Sequence, residues 1–199
     1  PYDSISKGKK ITIENLLNHK AGLSVSGFGG YEREQKLPTI IQILNGEKPA
    51  NTPAVLSVFE PNLEFKYSGG GTTISQLILE NITNEKYEGY MLKNVLTPLG
   101  MKSSFFNQPP LKDKENSLAT AYINGKEVEG KYHIYPEQAA AGLWTTPTDL
   151  AHYIIETQLS LLGESNKILT KEMSIQRLEN NLGVFTQDYK GIKYFGHSG

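Results

Sequence analysis

The sequence contains no cysteine. That removes thiol nucleophiles, disulfide staples and thiolate metal sites, although many exported bacterial enzymes also lack cysteine, so the compartment stays open. Nor is there an excess of one charge: 20 Lys and Arg stand against 21 Asp and Glu, a formal net charge of −1. A nucleic-acid binder carries a basic surplus, so no such partner is expected. No run of about 18 apolar residues occurs, so no transmembrane helix is expected. Internal repeats, low-complexity tracts and linkers are also missing. The chain opens Pro1-Tyr2-Asp3 without an initiator Met. It reads as a piece of something longer, and any export signal would then lie outside it.

What is present is an ordinary globular composition. Apolar residues make up 38% of 199, and the 19 glycines raise that to about 47%, inside the usual range. A chain of this length suits one domain and can bury around 70% of its unfolded surface without metal or disulfides.

Hydrophobic spacing and capping residues outline the elements. Ile11 to Leu17 reads as a short helix with Thr12 as N-cap and Glu14 in the first turn. Pro38 to Leu44 reads as a second. Leu63 to Tyr67 alternates apolar and polar and reads as extended. Ser68-Gly69-Gly70-Gly71-Thr72 feeds a helix with Ile74, Leu77, Ile78 and Ile82 on one face. A further helix covers about Lys86 to Leu96 and is expected to stop before Pro98. Residues 107–117 read as a polar loop, and Asn124-Gly125 as the turn of a hairpin. Thr146-Pro147-Thr148-Asp149 is a capping box with Pro at the first helical position, and Leu150, Tyr153, Ile154 and Leu161 continue that helix's apolar face. Thr170 caps another helix to about Leu178. Leu182 to Thr186 and Ile192 to His197 read as two strands joined by a turn at Asp188 to Gly191.

Several chemistries fit poorly. The four histidines, His19, His133, His152 and His197, are scattered, and no H-E-x-x-H occurs, so no metal site is expected. Ser68 to Thr72 could cradle an anion on its free N–H groups, but no Walker Lys follows. Gly22-Leu23-Ser24-Val25-Ser26-Gly27 is a near match to the nucleophile elbow G-x-S-x-G, but its fifth position is Ser; it reads as a flexible surface loop.

Five segments in order carry more weight. Ile13 to Leu23, with Leu16-Leu17-Asn18-His19-Lys20-Ala21-Gly22-Leu23 at its centre, is similar to the "LLxHxSGL" segment of the serine β-lactamase and penicillin-binding-protein superfamily, class C branch. Phe65-Lys66-Tyr67-Ser68-Gly69-Gly70-Gly71 resembles that branch's Tyr motif. Gly196-His197-Ser198-Gly199 resembles its third motif, Lys-Thr-Gly or His-x-Gly on a strand. Pro98-Leu99-Gly100-Met101 and Ala141 to Leu150 resemble the intervening signatures.

The resemblance implies an α+β, β-lactamase/transpeptidase-like fold. The chain would hold its helical part, about 11–178, and a fragment of its antiparallel sheet, about 182–197, within one catalytic domain. It implies a serine acyl hydrolase that needs no cofactor, acting on an ester, an amide, a D-amino-acid peptide or a β-lactam in the periplasm or outside the cell. The nucleophile of such enzymes is the Ser of S-x-x-K. Tyr67 would be the catalytic base. A phenol ordinarily ionises near pH 10, so service near pH 7 takes roughly 4 kcal/mol, much of which a neighbouring ammonium could supply. His197 would stand in place of the third-motif Lys, bonding Tyr67 or a substrate carboxylate, more weakly than Lys because imidazole is largely neutral at pH 7. Gly69, Ser198 and Gly199 would border the substrate. Gly69 replaces the Asn of β-lactamases, which tilts the reading toward esterase and peptidase relatives.

Two S-x-x-K strings, Ser4-Ile5-Ser6-Lys7 and Ser6-Lys7-Gly8-Lys9, lie in a polar stretch too close to the first motif for the family order. The nucleophile is therefore expected upstream of residue 1, and the isolated chain is expected to be inactive and to self-associate through the unpaired edge of its terminal hairpin. The rival reading is a non-catalytic relative that binds or senses a ligand.

Overall fold

The computed structural model describes residue 5 and residues 7–198. Among the described residues, eight α-helical segments are joined by loops and by two antiparallel hairpins, an α+β architecture. Helix α1 is Ile13–Leu17, α2 Ile40–Asn45 and α3 Gly69–Thr83. Helix α4, Tyr87–Met91, runs through a π-helical turn, Leu92–Leu96, into α5, Thr97–Leu99. Then come α6, Gln138–Ala141, α7, Pro147–Leu162, and α8, Lys171–Glu179. Strands β1, Tyr122–Ile123, and β2, Lys126–Glu127, form one hairpin; β3, Phe185–Tyr189, and β4, Ile192–Gly196, form the other.

Caps set the starts. Thr12, Thr39, Ser68, Thr146 and Thr170 each accept a hydrogen bond from a backbone N–H in the first turn, satisfying donors that a helix cannot satisfy itself. Both hairpins turn through two residues at positive φ, Asn124-Gly125 and Lys190-Gly191, which matches the twist of the flanking strands. Helix α3 sits at the centre, packed on α1, α2, α4 and α6. It meets Leu16, Ala21 and Leu23 through Ile74 and Ile78.

The structure departs from the sequence reading in several places. The fourth helix does not stop before Pro98: a π turn, in which Thr97 N–H bonds the Leu92 carbonyl, carries the chain on through Pro98 in α5 to Gly100, whose φ of 70° ends it. Leu63 to Tyr67 forms no ladder: Lys66 N–H donates to the His19 carbonyl at 2.8 Å, and Leu63 N–H closes a turn onto the Glu60 carbonyl at 3.3 Å. The polar loop contains a 3₁₀ helix, Lys112–Ser117. The first terminal strand begins at Phe185, not Leu182, because Leu182 and Gly183 donate to the carbonyls of Arg177 and Leu17 instead of to β4. The segment 22–27 is not a flexible loop: Leu23 is buried, and Ser24 and Val58 make backbone bonds to Leu56 and Gly22. Ile82 on α3 is exposed.

At Thr146 only half of the capping box forms. Thr146 Oγ1 accepts the Asp149 N–H at 3.2 Å, but the Asp149 carboxylate turns away to accept from Ser103 N–H at 2.8 Å and Ser104 Oγ at 2.7 Å. Thr146→Ala is expected to cost about 1 kcal/mol of stability, measured by urea unfolding; a neutral substitution would remove the cap from the account. The buried face of α7 is also polar. Asp149, Glu156, Thr157 and Ser160 face inward, whereas Leu150 and Ile154 are exposed. Each buried group finds partners: Glu156 accepts from Ser165 and from Lys167 N–H, and Ser160 bonds the Leu169 carbonyl and Ser174.

Glu137, at the start of α6, is fully buried. Neither of its carboxylate oxygens has a hydrogen-bond partner. Burial pushes its carboxyl up to about 7, outweighing the opposing pull of its own backbone N–H. The folded state therefore holds this proton more tightly than the unfolded chain. Stability from this group is fully present below about pH 4.5, falls as the pH rises toward about 7 and is flat above. Between pH 5 and pH 8 the loss should be about 2–3 kcal/mol. Glu137→Gln should abolish that pH dependence in urea titrations, and an unchanged dependence would assign it elsewhere.

Candidate active site

Tyr67 lies one residue before the N-cap of α3, and His197 one residue after β4. Although 130 residues apart in sequence, the Tyr67 hydroxyl and His197 Nε2 are 3.4 Å apart, at the outer edge of hydrogen-bond reach. Tyr67 is 39% exposed and His197 is open to solvent, so a ligand can reach both.

Three further rings complete the group. The His19 imidazole lies against the Tyr67 ring, centroids 4.2 Å apart. Phe185 stacks on His197 at 5.3 Å, and Phe65 meets both His19 and Phe185 edge-on, at 5.9 and 6.0 Å. The hairpin register explains the Phe185 contact: Phe185 pairs with Gly196, immediately before His197. The histidines are thus not all scattered. Two meet at Tyr67, while His133 Nδ1 pairs with the Gly29 carbonyl at 2.9 Å. His19 and Phe185 were not singled out by sequence reasoning; His19 lay inside a recognised motif, but Phe185 carried no signal.

The floor beneath Tyr67 is rigid. Ser68 Oγ donates to the Ser24 carbonyl at 2.7 Å and accepts the Gly71 N–H at 3.0 Å. Gly69 and Gly70 N–H groups donate to the carbonyls of Ser26 and Val25, each at 3.0 Å. The donors of this glycine-rich helix start are therefore committed, and the anion cradle is not formed. Gly69 is buried, and a Cβ there would come within 3.1 Å of Phe28 and of the Ser26 carbonyl, so the loop packs where a larger side chain would stand. Ser24 Oγ accepts the Leu56 N–H at 2.8 Å and faces the Ala54 carbonyl at 3.2 Å; it is a structural hydroxyl, not an elbow nucleophile. Ser198 is exposed beside His197. Gly199 and the serines of both S-x-x-K strings, Ser4 and Ser6, lie outside the described residues.

Burial first, and the neighbouring His197 second, pull the His19 pKa below the ordinary imidazole value. A larger groove, about 700 Å³, opens elsewhere, between α7, α8 and the terminal hairpin, where Leu161, Ile175 and Tyr194 line it. It contains none of these residues. The site is defined by its chemistry, not by the size of its cavity.

This fold is that of the serine β-lactamase and penicillin-binding-protein superfamily. The Beta-lactamase family model matches residues 1–199, and the chain belongs to that family. Among curated proteins it is 25% identical over 159 residues to Protein flp of Staphylococcus aureus strain MW2, covering 74% of this chain and 29% of that protein. It is 24% identical over 151 residues to a Putative D-alanyl-D-alanine carboxypeptidase of Escherichia coli K12, covering 72% and 32%. The chain thus spans about a third or less of the length of these relatives. Among solved structures, the octameric penicillin-binding protein homologue from Pyrococcus abyssi superposes with a TM-score of 0.71 at 24% identity, over 98% of this chain and 48% of that one. The D-amino acid amidase from Ochrobactrum anthropi superposes at 0.70 and 17% identity, over 98% and 59%.

Proposed function

We propose that this chain is the Tyr- and His-bearing part of the catalytic domain of a serine acyl hydrolase in the class C β-lactamase-related branch. The observation that supports this most is the 3.4 Å approach of the Tyr67 hydroxyl to His197. In this reading the Ser of an S-x-x-K segment attacks the carbonyl carbon of an ester, amide, D-peptide or β-lactam, and its proton passes to the Tyr67 phenolate. The tetrahedral intermediate collapses, the bond to the leaving group breaks, and Tyr67 returns the proton to the leaving atom. Water then attacks the acyl-enzyme, giving a proton to Tyr67; the bond to Ser Oγ breaks, Tyr67 passes that proton to the departing Ser oxygen, and the acid is released. His197 bonds the phenol or a substrate carboxylate, and Gly69, Ser198 and Gly199 border the substrate.

The test is covalent labelling of the full-length gene product with a fluorescent penicillin and a fluorophosphonate. An adduct on the Ser of an S-x-x-K is expected, located by mass spectrometry. Reversible binding with no adduct would replace the enzyme by a binding module. Self-association is a second proposed property. Among the described residues β3 and β4 pair only with each other, and an open strand edge recruits another chain.

A further inference from the structure

His19 holds the chain on both sides of Tyr67. Its backbone carbonyl accepts the Lys66 N–H at 2.8 Å, and its Nδ1 accepts the Ser68 N–H at 3.2 Å. The Tyr67 ring itself rests on the same imidazole. His19 is only 6% exposed. Its φ of 58° lies in the left-handed region, which a non-glycine residue keeps only where its surroundings fix it.

We propose that His19 is the positioning residue of Tyr67: a neutral imidazole clamp whose Nδ1 must stay unprotonated for the phenol to keep its place beside His197. The proposal rests on Tyr67 being the proton carrier, as argued above. An Nδ1 that accepts the Ser68 N–H carries no proton, so the neutral ring holds its proton on Nε2. Protonating Nδ1 would set two N–H groups against each other and strand the buried Ser68 donor. Burial and the nearby His197 both resist that proton, so the surroundings keep the clamp closed. The titratable groups that face His19 are Tyr67 and His197. Lys66 reaches it through the backbone, and Glu14, Lys20 and Glu179 line a cavity of about 420 Å³ that shares Phe65 and Phe185 with this cluster.

Two substitutions in the full-length gene product separate the clamp from mere packing. His19→Leu keeps bulk and loses the acceptor. His19→Asn restores an oxygen near the Nδ1 position and tolerates positive φ. His19→Leu should lower kcat roughly 100-fold, the scale of a misplaced catalytic group. KM should change by less than about threefold, and His19→Asn should recover about tenfold of the lost kcat. The acid limb of the kcat–pH profile should move to lower pH in His19→Asn, because no proton can open that clamp. Independently of turnover, imidazole ¹⁵N NMR should show His19 neutral with its proton on Nε2, and His197→Ala should raise the pH at which His19 titrates. If His19→Leu keeps kcat and the pH profile while Tyr67→Phe loses turnover, the clamp is rejected and the role of Tyr67 stands. If Tyr67→Phe keeps turnover, the role of Tyr67 fails first. A proton on Nδ1 of neutral His19 rejects the clamp whatever the kinetics, including where His19→Leu does not fold.

Discussion

Tyr67→Phe in the full-length gene product is expected to slow acylation by roughly 10²- to 10⁴-fold, the usual worth of a positioned general acid–base. The substitution removes one oxygen and keeps the ring that rests on His19, so folding should be spared. Because the lost group acts on the moving proton, kcat should fall and KM should change little. Stopped-flow acylation by a chromogenic cephalosporin or nitrophenyl acetate measures both. His197→Ala should cost less, since His197 is exposed and its approach to the phenol is long, at 3.4 Å. A Tyr67→Phe enzyme that acylates within a few-fold of the wild type would move the proton transfer to another group.

A large stability effect is expected at Gly22, in the segment that leads to Ser24. Gly22 sits at φ 68°, and a Cβ there would lie 2.4 Å from the Phe59 carbonyl oxygen. That oxygen belongs to the backbone and cannot swing aside. The left-handed conformation costs an alanine about 1–2 kcal/mol, and forcing the backbone apart about 1–3 more. Gly22→Ala should therefore cost about 3 kcal/mol, a large part of a domain stability of roughly 5–15 kcal/mol. It should also loosen the site, because the same segment carries the Ser24 carbonyl that receives Ser68 Oγ. Gly29, with nothing within 4 Å of its would-be Cβ, is the control; Gly29→Ala should stay within about 0.5 kcal/mol. Equal midpoints for the two variants in urea would show that the chain at Phe59 gives way.

Much of the fold was legible in the residues. Thr12, Thr146 and Thr170 cap the helices they were expected to cap, because an N-cap is a local contract between one side chain and an N–H three residues on. Asn124-Gly125 turns the chain as expected, because the turn is decided by the conformations its own residues tolerate. The motif order points to the family and the α+β fold, and its Tyr67 and His197 lie 3.4 Å apart in the structure. Phe185 was not legible, because its contact with His197 depends on strand register across a hairpin.

The failures share a cause. Helix α7 was oriented by its leucines and isoleucines, yet its inner face carries Asp149, Glu156, Thr157 and Ser160. Periodicity records which face is apolar, not which face its neighbours cover, and buried polar groups are tolerated where partners satisfy them. Glycines 69 and 70 looked like free donors for an anion, but a loop some 45 residues away in sequence had already taken them. The sequence by itself determined the local elements, their caps and turns, and the kinship that its motifs carry, because these depend on residues within a few positions or on strings matched as strings. Only the tertiary structure decided that His19 brackets Tyr67, that Phe185 stacks on His197, and that the glycine-rich start of α3 is closed. Each of these is a contact between distant segments, and its geometry follows from packing the whole chain at once.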